Sequence, residues 1–71
     1  MKYYVYVHLL VKEQESLTDL IDRAQKEFQA AQGVMFTYKG INIVMHDTTT
    51  ADDVTKYYIM ALEARKVFQN D

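Results

Sequence analysis

The chain has no cysteine, no proline and no tryptophan, and only two glycines in 71 residues. The absence of Cys removes disulfides, thiolate zinc sites, iron–sulfur ligation and a cysteine nucleophile. A single serine, Ser16, leaves little for a Ser/His/Asp arrangement, and the isolated glycines Gly33 and Gly40 make no phosphate-cradling loop. Charge of one sign is also scarce. Eight basic residues stand against ten acidic ones, for a net charge of −2 and a pI near 5.5. A protein held to nucleic acid by phosphate neutralisation carries the opposite balance. Long hydrophobic runs are missing too. The apolar stretch Tyr3 to Val11 is about half a membrane span. It is interrupted by His8 and followed by Lys12, Glu13, Gln14 and Glu15, where a signal peptide needs small residues. A cytoplasmic protein without a membrane anchor is the expectation.

What is present fits one small globular domain over residues 1–71, with 49% hydrophobic and 25% charged residues. A domain of this size buries only about 60% of its unfolded surface. With no covalent staple, packing, a partner subunit or a ligand must supply the rest of its stability.

The pattern predicts a β-α-β-β-α order. Tyr3 to Val11 is rich in Tyr, Val and Leu, which suit a pleated surface. Its odd positions are core-like, and its even positions Tyr4, Tyr6, His8 and Leu10 have apolar bodies, some with polar tips. Ser16 is placed to cap a helix, with Asp19 and Asp22 near that end. Leu17, Leu20, Ile21, Ala24, Phe28 and Ala31 form a stripe of about 100° on that helix. Asp19–Arg23 and Asp22–Lys26 stand four apart on its polar side, and Gly33 is expected to end it as a positive-φ C-cap. Val34–Tyr38 and Ile41–His46 read as two strands joined by a tight Lys39–Gly40 turn. Thr49 or Thr50 should cap a second helix, with Asp52 and Asp53 in its first turn and Arg65 and Lys66 near its end. Val54, Tyr57, Tyr58, Met60, Ala61, Leu62, Ala64, Val67 and Phe68 cover about 220° of that helix, while Ile59 stands on its polar side. This exceeds what one sheet requires.

These elements imply an α+β fold: a three-stranded sheet with both helices on one face. The preferred arrangement is a split βαβ unit with the third strand between the first two, resembling a ferredoxin-like fold without its last strand. The alternative puts the second strand in the centre, parallel to the first.

Either way one sheet face stays open, bearing Tyr4, Tyr6, His8 and Leu10, Met35 and Thr37, and Asn42, Val44 and His46. An apolar, aromatic surface of that extent marks an interaction site. The expected interface is Tyr4, Tyr6, His8, Leu10, Val44 and His46, extended by Tyr58 and Ile59 on the outer side of the second helix. The functional expectation is a non-enzymatic protein-interaction or regulatory module. It would form a homodimer through the open face, or bind or inhibit another protein. A chain of this kind suits an accessory protein of a phage or mobile element.

Two alternatives are weighed against this reading. His8, His46 and Asp47 could form a metal site, although their spacing matches no metal motif, and His8, His46 and the tyrosines could form a small-molecule site or an enzyme's active site across a dimer interface. Tyr4 and Tyr6 could stack single-stranded nucleic acid, although only Lys2, Lys12 and Lys39 are available as supporting charge. Asp47, Asp52 and Asp53 lack the ligand number and turn glycine of a calcium loop, and helix capping accounts for them. No catalytic residue, cofactor or metal is assigned.

Overall fold

A computed structural model describes residues 5–69, with the side chain of Gln69 left aside. The elements are β1 (Tyr6–Leu9), α1 (Leu17–Lys26), β2 (Gly33–Tyr38), β3 (Ile41–His46) and α2 (Ala51–Gln69), with a 3₁₀ turn over Glu27–Gln29. The fold is α+β with a three-stranded sheet, as the sequence indicates.

The strand order corrects the preferred split arrangement. The sheet runs β1-β2-β3, with β1 parallel to β2 and β2 antiparallel to β3. The central strand opens with the near-continuous apolar run Gly33-Val34-Met35-Phe36, which suits cover on both sides. The pattern of β3 alternates strictly between buried and exposed, and its outward residues Asn42, Val44 and His46 tolerate an edge.

Register sorts the side chains into two faces. Val7, Val34 and Met45 lie in one row, and Leu9, Phe36 and Ile43 in the next. This face joins Leu20, Ile21 and Ala24 of α1 and Val54 of α2 in one buried cluster. Phe36, Leu20, Met45 and Val34 are its largest fully enclosed side chains. Both helices therefore cover the same side of the sheet.

The ends of the elements follow from particular residues. Ser16 caps α1, its hydroxyl accepting from the Asp19 N–H at 3.1 Å. Thr50 caps α2 reciprocally: its Oγ1 accepts from the Asp53 N–H at 3.0 Å, and its own N–H donates to Asp53 Oδ2 at 3.1 Å. The bond from the Thr50 N–H first, then the Thr50 hydroxyl beside the carboxylate, hold the Asp53 carboxyl below its ordinary value of 3.8. Lys39 and Gly40 both have positive φ, 48° and 82°, as a two-residue type I′ hairpin requires.

Three local expectations fail. Gly33 is no C-cap. The α-helix ends at Lys26, the 3₁₀ turn carries the chain to Gln29, and Gly33 opens β2 without positive φ. Ala31 is buried, but from the loop rather than the helix. Arg23 does not pair with Asp19. Its guanidinium donates to Glu15 Oε2 and Oε1, both at 3.0 Å, and to the Leu10 carbonyl at 2.7 Å. The Lys12 N–H adds a bond to the same carboxylate at 2.9 Å. This bidentate contact ties the β1–α1 loop, including the positive-φ residue Gln14, to the helix face. Arg23 first, then the Lys12 N–H, hold the Glu15 carboxyl below its ordinary value of 4.5.

Candidate functional site

The second sheet face carries Tyr6 and His8 from β1, Gly33, Met35 and Thr37 from β2, and Asn42, Val44 and His46 from β3. No helix crosses it among the described residues. Val44 is 52% exposed and Tyr6 45%, while Met35 between them is half-buried. His8, Met35, Thr37, Asn42 and Val44 line a shallow depression in its middle.

One end of this face is built around Gly33. Tyr6, Gly33 and His46 stand in one row across the three strands. The Tyr6 ring lies over Gly33, so that a Cβ at position 33 would meet three ring atoms well inside contact distance. The missing side chain lets the phenol span the central strand. Its hydroxyl bonds His46 Nε2 at 2.8 Å, and the rings meet edge to face at 5.7 Å. Sequence reasoning placed Tyr6 and His46 on this face but missed their contact. The signal was a glycine in a strand, which marks a close approach.

His8 and His46 do share the face, as expected, yet they are not neighbours. His8 lies in the row of Met35 and Val44, and His46 in the row of Gly33 and Tyr6. Two strand spacings and two residues of rise put their Cα atoms about 12 Å apart. No group of three or more metal-binding side chains gathers among the described residues. The open face also bears no Lys or Arg there.

The remaining expected interface residues are scattered. Tyr4 lies outside the described residues. Leu10 follows the end of β1, exposed, and its carbonyl serves Arg23. Tyr58 points inward: it packs against the core, its ring 5.3 Å from that of Tyr38. It is therefore unavailable on the outer helix side. Ile59 is exposed on the polar side of α2, remote from the open face.

A second apolar surface was legible only as excess arc on α2. Val54, Tyr58, Ala61 and Leu62 turn to the core. Tyr57, Met60, Ala64 and Val67 form a separate stripe with three- and four-residue spacing, all exposed; Met60 is 64% and Val67 69% exposed. The stripe begins above the outer edge of β3, where Asn42, Val44, Thr49, Asp53, Val54 and Tyr57 line a groove.

No helix of the described residues is long and apolar enough to cross a membrane. Comparison of the chain with protein-family models, characterised proteins and solved structures finds no match.

Proposed function

We propose that this chain is a non-catalytic protein-interaction module whose binding surface is the uncovered face of its sheet. One observation carries the reading. Both helices roof the same side, leaving Tyr6, His8, Val44 and His46 exposed around the half-buried Met35. Apolar surface concentrated in this way is characteristic of interaction sites. The Tyr6–His46 bond fixes two of the side chains before any partner arrives, which reduces the ordering cost of binding. The face offers an aromatic ring, two imidazoles and an apolar centre, a composition suited to protein surfaces. The separation of His8 from His46, and a face without Lys or Arg among the described residues, give the metal and nucleic-acid readings no comparable support.

The test is photo-crosslinking in the native host. A benzophenone side chain in place of Val44 should yield a discrete protein adduct. The same probe at Gln25, on the exposed side of α1, should yield none. Equal labelling from both positions, or none from Val44, would contradict the proposal.

A further inference from the structure

The outer edge of β3 and the apolar stripe of α2 lie on the same flank of the molecule, and each lacks a partner among the described residues. In a two-residue hairpin the residues flanking the turn, here Tyr38 and Ile41, exchange both backbone bonds. Alternation then turns Ile41, Ile43 and Met45 towards β2, and Asn42, Val44 and His46 outward. Thr49 satisfies His46 on both sides: Oγ1 accepts from its N–H at 3.0 Å, and the Thr49 N–H donates to its carbonyl at 2.9 Å. Asn42 and Val44 keep outward backbone groups. No proline, lysine or bulge blunts this edge, although such devices ordinarily prevent strands from pairing.

The helix above it runs antiparallel to the strand. It starts beside His46, and Arg65 Nη1 donates to the Lys39 carbonyl at 3.1 Å. Ala51 to Arg65 rises about 21 Å, and His46 to Gly40 spans about 20 Å. The midpoint of β3, near Ile43, therefore lies beside Tyr58 on α2.

We propose that two copies of this chain pair about a two-fold axis beside Ile43, with β3 antiparallel to β3 and α2 antiparallel to α2, to form one six-stranded sheet. Asn42 then bonds Val44 of the second copy, and the reverse, using all the outward groups. Strands about 4.8 Å apart set each β3 about 2.4 Å from the axis. Helices pack about 8–10 Å apart, which places each about 4–5 Å from the same axis. That position is over β3, where α2 sits. Tyr57 and Met60 of one copy meet the same pair of the other.

The axis that reverses β3 against β3 also reverses α2 against α2, so the helices meet antiparallel. Lys56 and Glu63 on the flank of the stripe are paired within their own helix, with Asp52 at 3.1 Å and Lys66 at 3.6 Å, so apolar contact rather than charge joins the helices. A second copy is thus the occupant that supplies a strand edge and an apolar helix stripe on one two-fold axis. This names a partner for the interaction module proposed above and rests on that reading, but it uses the edge of the sheet and leaves the open face free.

Sedimentation equilibrium of the full chain from 1 to 500 µM, with amide exchange, tests the arrangement. The wild type should form a dimer, with the Asn42 and Val44 amides protected in step with dimer fraction. Met60→Lys, at an exposed site, should weaken association at least tenfold and release those amides. Ala64→Lys, further along the exposed stripe, should weaken it comparably. A monomer at 500 µM overturns the inference. So does a dimer insensitive to Met60→Lys and to Ala64→Lys. If Tyr6→Lys breaks such a dimer, association through the open face stands while the edge arrangement falls. Val44 adducts to another protein with no self-association would likewise keep the interaction reading and remove this one.

Discussion

Replacing Gly33 by alanine tests the construction of the open face. At an ordinary strand position, the change lowers the entropy of the unfolded chain and stabilises by about 0.5–1 kcal/mol. Here φ is not positive, so the backbone accepts alanine. The new Cβ, however, would occupy space held by the Tyr6 ring. That ring sits at the end of a side chain that can swing outward, so the protein still folds. The swing breaks the 2.8 Å bond to His46 and the edge-to-face contact. A net hydrogen bond contributes about 0.5–1.5 kcal/mol, and an aromatic pair about as much. Exposure favours the lower ends, for a combined loss of about 1–2 kcal/mol. Gly33→Ala alone should therefore destabilise by about 0.5–1 kcal/mol. In a Tyr6→Ala background it should stabilise by a similar amount. Urea unfolding followed by far-UV circular dichroism, at one protein concentration for all four proteins, measures the cycle. A coupling near zero, with Gly33→Ala stabilising in both backgrounds, would refute the reasoning.

Three further outcomes follow from local geometry. Thr50→Ala removes the hydroxyl that caps α2 and should cost about 1 kcal/mol in urea unfolding; an unchanged midpoint would contradict the capping role. Gly40→Ala places a Cβ at φ 82° and against the Arg65 guanidinium, and should cost about 1–2 kcal/mol with loss of the hairpin amide protection. Glu15 has a folded-state pKa below its ordinary value of 4.5, so its contribution is present above that value. It is lost as pH falls through the depressed folded value. The stability difference between wild type and Glu15→Gln should accordingly be constant from pH 6 to 8 and shrink as the solution is acidified below pH 4.5. A difference independent of pH down to 2.5 would exclude this linkage.

Local chemistry was legible where one residue decides one feature. The Ser16 cap, the Lys39–Gly40 turn and the alternation of Ile41–His46 depend on neighbours in sequence, and each forms as read. Strand order depends on pairing between distant segments. A β-α-β-β run is compatible with either central strand, and the preference for all-antiparallel neighbours chose the wrong one. The distinguishing sign was the apolar run Gly33-Val34-Met35-Phe36 beside the polar alternation of β3. Gly33 was misread because a glycine after a helical stretch suggests a cap. Its reason lies 27 residues earlier, in the ring of Tyr6. Of the expected interface, Tyr6, His8, Val44 and His46 share a face because period-two alternation held on both edge strands. Tyr58 was misplaced because the broad apolar arc of α2 hides which part of it turns to the core.

The central claim is that the apolar surface outside the core belongs against another molecule. Hydroxyl-radical footprinting across a concentration series, with and without host extract, tests it, with one methionine as internal reference and another as probe. Met45, fully enclosed, should resist oxidation under every condition. Met60 should oxidise rapidly in dilute protein and become protected at high concentration, and Tyr6 should become protected in extract. Rapid oxidation of Met60 and Tyr6 under all conditions would show that nothing covers these surfaces, and would contradict the account.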